Sequence, residues 1–256
     1  MPLFGELDLD QALGSKPTVT GLTPETWELP GAETLQVSFE VDEAAALSIT
    51  PPALHPSIPP YATFSVVRFP ESPVGPFNLA MVRLIVRAGI RPRGLLVTAF
   101  TDSDAAADAL RSGWGYDVAV ANVGFSHRHN RIQGTVAIDG NVVMDARLED
   151  PEPVAGSDLE LFDNLHLVNH QPVGSDDVDP LIIQVDPGYT YSQAERGAPG
   201  LEHFDAAALG ATGISPVYGV VAVACVADME LAAPRFVIDP TVPAVQGTRR
   251  LHPSGA

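Results

Sequence analysis

The chain has 256 residues, of which 45% are apolar, and 32 acidic against 14 basic side chains leave a formal net charge of −18. That size suits one large domain, and the acidic balance argues against nucleic acid or an anionic membrane as partner. With 24 prolines and 22 glycines punctuating short β-branched runs, the composition excludes a helical bundle and predicts a mainly β protein with few helices.

Residues 1–30 read as an irregular arm broken by Pro17, Gly21, Pro24 and Pro30. The arm opens without a basic region followed by an apolar core, so no signal peptide is expected. No run reaches the roughly 18 apolar residues of a membrane helix, and a soluble cytoplasmic protein is expected. A strand is predicted over 33–41. Asp42 then caps a short helix over 43–47, which Pro51 and Pro52 end. Strands follow at 61–69, 79–88 and 94–101, and Ser103 or Asp102 caps an alanine-rich helix over 104–112.

Further strands are predicted at 117–125 and 131–138. Asp139-Gly140 supplies the positive φ angles of a type I′ hairpin. Beyond it, Val142, Met144, Ala146 and Leu148 alternate with other residues and mark a strand with one buried face. Strands near 160–170, 180–186 and 216–230 complete the sheet, with 186–191 and the loop after it the least legible stretch. The lone Cys225, inside an apolar strand, reads as a buried small residue rather than a nucleophile. The tail over 241–256 carries neither pattern nor bulk and is predicted to be mobile.

The segment from Phe100 to Ala119, with Asp102, Ala106, Arg111 and then Trp114-Gly115-Tyr116-Asp117-Val118-Ala119, resembles the central motif of the acetoacetate decarboxylase family. That motif runs from an aromatic through Asp-Asn and a small helix with Arg to Trp-Gly-(Phe/Tyr)-Pro-Lys-Lys. Residues 71–78, 201–205 and 227–238 resemble further blocks, so that the likeness spans about 33–240, within a predicted barrel domain over 31–240. The resemblance implies a closed, cone-shaped β-barrel with a deep apolar pocket, and a homo-oligomer.

It also locates what is missing. The family's Schiff-base lysine falls on Val118 and the lysine that lowers its pKa on Ala119. The acidic pocket residue falls on Leu79, a second glutamate near Phe64 or Ser65, and the carboxylate-receiving arginine near Ala32. The chain's single lysine is Lys16, in the N-terminal arm. The implied pocket wall is Phe77, Leu79, Met81, Phe100, Trp114, Tyr116 and Val118.

Several candidates carry chemistry. Asp117 and Tyr116 stand beside the lost lysines; an aspartate at an apolar pocket would have a raised pKa and act as a general acid or base, whereas at an exposed strand start it is simply solvated. Arg83 and Arg87 bind a carboxylate if they share the inward face of their strand with Leu79 and Met81, and are surface charges if they do not. His127 and His129 form a His-x-His pair that suits a metal on a strand but equally a solvated hairpin; His166 and His170 lie elsewhere. No phosphate loop, dinucleotide fingerprint or nucleophile elbow is present, and no cofactor is expected.

The reading is thus a lysine-independent enzyme of lyase, isomerase or cyclase type on a mostly apolar small molecule, in secondary metabolism. The alternatives are a non-catalytic small-molecule carrier and, more weakly, a metal-dependent enzyme using His127 and His129.

Overall fold

The computed structural model describes residues 3–251. Its elements begin with Leu9–Leu13 (α1), Thr18–Val19 (β1), Trp27–Val41 (β2), Glu43–Ser48 (α2), His55–Pro56 (β3), Tyr61–Phe69 (β4) and Phe77–Arg87 (β5). They continue with Pro92–Thr101 (β6), Asp104–Trp114 (α3), Val118–Val120 (β7), Asn122–Arg128 (β8), Arg131–Ile138 (β9) and Asn141–Pro153 (β10). Asn164–His170 (β11), Asp179–Val185 (β12), Gly188–Phe204 (β13), Pro216–Leu231 (β14), Phe236–Ile238 (β15), Ala244–Gly247 (α4) and Thr248–Arg250 (β16) complete the set. Among the described residues no helix is long and apolar enough to cross a membrane.

All sixteen strands join one mixed sheet whose main path runs β16-β15-β12-β11-β6-β5-β4-β2-β14-β13-β10-β9-β8. Closure of that sheet into a ring, which the resemblance implies, is not seen in its hydrogen-bond ladder: no pairing among the described residues joins β8 to β16. The sheet instead curls until β8 and β9 pack across β4 and β5. The central strands are therefore covered on both faces. Leu35, Phe64, Val82, Ile132 and Met144 belong to one core, and Leu29, Phe77, Leu79, Met81, Trp114 and Tyr116 to a second on the opposite face. Burying each such side chain stabilises by about 1.5–3 kcal/mol.

Local signals explain why these elements form where they do. Ser103 caps α3, its Oγ accepting from the Ala106 amide, and Asp104 lies favourably in the first turn. The helix buries Ala106, Ala107, Leu110 and Trp114 and ends at Gly115 with φ +70°. A Cβ there would lie 2.5 Å from the Val168 side chain, so both conformation and packing require glycine. Gly115 thereby fixes where the chain turns from α3 to Tyr116. The hairpin Asp139-Gly140 adopts φ values of 51° and 81°, as its sequence demands.

The largest departure from expectation is β13, seventeen residues long and mostly half-exposed or exposed, in the stretch that read as a loop. It is held between β10 and β14 by backbone pairing, so its side chains need no apolar alternation. Likewise β2 starts at Trp27, inside the segment read as an irregular arm, and β1 pairs in parallel with β11. At the other end, β16 pairs with β15; the rest of the tail predicted to be mobile, 252–256, lies outside the described residues.

Candidate functional site

β2, β4 and β5 carry polar side chains at alternate positions on the face that looks into the second core. Thr34, Gln36 and Ser38 on β2, Thr63 and Ser65 on β4 and Arg83 on β5 are all buried, as are Asn164 and His166 on β11. Buried polar groups are costly unless hydrogen-bonded, and a buried charge far more so. A band of this kind inside an apolar core is therefore a feature to account for.

Arg83 is its centre. One terminal nitrogen, Nη1, donates to the Phe162 carbonyl and to Asn164 Oδ1, each at 2.8 Å. The other, Nη2, donates to Gln36 Oε1 at 2.8 Å and Ser65 Oγ at 3.0 Å. Gln36 is itself fixed by donating from Nε2 to the Glu160 carbonyl. All four acceptors are neutral, and Arg83 takes part in no ion pair among the described residues. Its Nε is buried without a partner. Burial pulls the guanidinium pKa down, yet arginine stays protonated in proteins. The structure thus buries a positive charge with no carboxylate in contact, Asp163 acting on it only from farther away.

Gly94 makes room for it: a Cβ at that position would stand 2.8 Å from Arg83 Cδ.

A narrow cavity of about 30 Å3 opens beside this arginine, walled by Leu29, Val67, Phe77, Leu79, Met81 and Met229. Gln36, Ser65, Arg83, Tyr116, Asn164 and Tyr189 supply its polar atoms. That volume holds a water or two, so a ligand must shift side chains to enter. The Tyr116 hydroxyl lies near Asn164 and Arg83, which both act on its pKa. Burial, opposed by Arg83 and Asn164, pushes the Tyr116 phenol up to about 12, and burial raises Tyr189 still further. Both are neutral donors at physiological pH, not bases.

Behind the cavity, Trp27 stacks edge-on to Trp114 with ring centroids 5.1 Å apart. Trp114 Nε1 donates to the Ala232 carbonyl, so the wall is anchored to the end of β14. Pro187 is shared between the cavity and a polar groove lined by Arg91, Arg93 and Arg235 against Asp163, Asp186 and Glu230.

The family model for acetoacetate decarboxylase (ADC) matches residues 15–237. The chain belongs to the acetoacetate decarboxylase family. No curated protein matches the sequence. Among solved structures, the acetoacetate decarboxylase of Legionella pneumophila is 17% identical with a TM-score of 0.73, over 82% of this chain and 86% of that one. The enduracididine biosynthesis enzyme MppR, complexed with pyruvate, is 18% identical with a TM-score of 0.66, over 84% and 91%. An acetoacetate decarboxylase-like enzyme from Sphingomonas wittichii RW1 is 13% identical with a TM-score of 0.67, over 84% and 93%. At these identities the likeness establishes the fold.

Within this acetoacetate decarboxylase fold, Phe77, Leu79, Met81, Arg83 and Tyr116 meet at one cavity. Three other residues expected in the same wall do not line it. Phe100 belongs to the first core, because Ala99, its neighbour on β6, takes the face toward the second. Val118 and Trp114 are buried in the second core behind the cavity. Arg87, at the end of β5, is exposed, which separates it from Arg83. Asp117 is partly exposed and lies 2.8 Å from Lys16 Nζ, outside the cavity lining. His127 lies 3.3 Å from Glu195 and His129 is exposed in the β8–β9 turn; no group of three metal-ligating side chains occurs among the described residues.

Gln36, Asn164 and Tyr189 have no place in the sequence reading, and Ser65 enters it only as one of two positions for the family's second glutamate. For Gln36 a signal existed: Thr34, Gln36 and Ser38 alternate with Leu35, Val37 and Phe39, and such polar alternation in a strand buried on both faces marks an interior polar row.

Proposed function

We propose that this protein is a lysine-independent enzyme that acts on a small, mostly apolar carbonyl compound bearing an anionic head, by proton transfer of lyase, isomerase or cyclase type. The observation that carries the reading is Arg83. Its cation lies at an apolar cavity, held by four neutral acceptors, with Nε unpartnered and no carboxylate in contact. A ligand anion, or an enolate formed from it, supplies the missing charge in a medium where Coulomb attraction is strong. Tyr116, held neutral by burial that pushes its pKa up to about 12, donates a hydrogen bond to a carbonyl or enolate oxygen, which gives it the role of oxyanion stabiliser.

Imine chemistry has no nucleophile in this reading. The single lysine of the chain is Lys16, which is engaged with Asp117 and is not a cavity residue. Asp117 serves to hold the N-terminal segment against the start of β7 rather than to move protons.

The test is conversion without a covalent adduct. Small 2-oxo acids, 3-oxo acids and enones are incubated with the protein and followed by proton NMR, with parallel borohydride trapping and mass spectrometry. The expected result is turnover of at least one class with no reduced adduct. Trapping of substrate on Lys16 would refute lysine independence. Binding of carboxylates without conversion of any class would make the protein a carrier instead of an enzyme.

A further inference from the structure

His166 is buried at 1% exposure, two residues along β11 from Asn164 and therefore on the same strand face. Its Nδ1 lies 2.7 Å from the Trp114 carbonyl. A carbonyl can only accept, so Nδ1 carries the proton and Nε2, across the ring, carries a lone pair. That Nε2 is buried and has no partner. Leaving a buried acceptor unpaired is unfavourable and uncommon, and asks for an explanation in each case.

Its surroundings supply one. The Tyr116 ring, part of the cavity wall, packs edge-on against His166 with centroids 4.2 Å apart. Tyr116 thus lines the free volume and also touches the imidazole. Any ligand larger than a water or two must displace wall side chains, and displacement of Tyr116 uncovers His166.

Resting on the reading above, we propose that His166 Nε2 is the proton acceptor of this site and that the substrate is a carbonyl acid with an enolisable C–H. The C–H bond next to the carbonyl breaks, its proton goes to Nε2, and its electron pair moves to the carbonyl oxygen. The resulting enolate is stabilised by the Arg83 charge and by hydrogen bonding from Tyr116. Return of the proton to carbon regenerates the substrate or an isomer, so no oxidant, metal or co-reactant is consumed. The Trp114 carbonyl plays the orienting part: it fixes the tautomer and the ring so that the base is always presented unprotonated at Nε2. Burial and the nearby Arg83 hold the imidazole neutral, with its pKa lowered to about 4; binding of an anion beside it raises basicity when the proton must be taken.

The experiment is deuterium exchange into the carbon next to the carbonyl of pyruvate and 2-oxobutanoate in heavy water, read by proton NMR. His166→Asn keeps an N–H for the Trp114 carbonyl but removes the acceptor. It is expected to lower exchange by about 10²–10⁴-fold, the usual contribution of a general base, while binding of non-exchanging butanoate is unchanged. Nitrogen-15 NMR of the wild-type imidazole is the check that needs no variant, and should show Nδ1 protonated and Nε2 bare at neutral pH. Wild-type exchange rates in His166→Asn, or a protonated Nε2 in the wild type, overturns the assignment. So does a wild type that binds butanoate through Arg83 but exchanges neither oxo acid, which leaves the wider functional reading standing. Absence of both binding and exchange removes that reading as well.

Discussion

Replacing Arg83 with methionine separates the electrostatic claim from mere packing. A unit charge 4 Å from a ligand carboxylate, at an effective dielectric of about 20, contributes about 4 kcal/mol, and about 3 kcal/mol at 6 Å. The carboxylate returns part of this through desolvation, leaving a preference of roughly 2 kcal/mol, or about thirtyfold in Kd. Methionine has a similar length and no charge. It leaves Gln36, Ser65, Asn164 and the Phe162 carbonyl without their donor, at about 1–3 kcal/mol for each group that finds no water. Removal of a buried cation offsets this by several kcal/mol, so the variant is expected to fold with only a modest change in urea midpoint. The assay compares butanoate with butanamide, its neutral isostere, by ligand-observed NMR. Wild type should prefer the carboxylate, and Arg83→Met should bind the two alike. Retention of the preference in Arg83→Met, with the variant folded, refutes the argument that this buried charge defines the ligand.

Gly94→Ala places a methyl 2.8 Å from Arg83 Cδ and should lower butanoate affinity several-fold through displacement of the guanidinium; unchanged affinity means the side chain is not held as tightly as its four hydrogen bonds imply. Tyr116→Phe, once a reaction is found, should reduce kcat by roughly 10²–10³-fold, the effect of losing one oxyanion donor, whereas Asp117→Asn should leave kcat within a few-fold and cost at most about 1 kcal/mol of stability, because its ion pair is partly exposed. His166 gives a pH signature. Its folded-state pKa near 4, against an ordinary value of 6.5, means the unfolded chain takes up the proton first. Stability is therefore full above about pH 6.5 and falls as pH drops through 4, by roughly 3 kcal/mol from this residue; His166→Asn should flatten that part of a urea-midpoint profile, and an unchanged profile would place the acid sensitivity elsewhere.

Much of the architecture is legible in local sequence, because local physics decides it. The β4 and β9 boundaries, the Asp42 and Ser103 caps and the Asp139-Gly140 turn follow from alternation, side-chain capping and tolerance of positive φ, none of which needs a distant partner. The Trp114-to-Ala119 block is enough to suggest the family. The ladder of β13 is different: its pairing with β10 and β14 uses backbone groups that every sequence has, and its half-exposed side chains leave no apolar rhythm to read. The site shows the same division. Leu79, Met81 and Tyr116 are visible as apolar and aromatic positions near the motif, but whether Arg83 faces inward is open on its own strand, since Val82, Leu84 and Ile85 are buried as well. Only the tertiary structure brings Gln36 from β2, Ser65 from β4 and Asn164 from β11 around that one guanidinium. It also sets Lys16 against Asp117, away from the cavity, and leaves His166 Nε2 bare behind Tyr116. A sequence specifies which strands form through contacts a few residues long, while the pairing of a buried group such as Gln36 depends on a neighbour 124 residues away, which folding alone assembles.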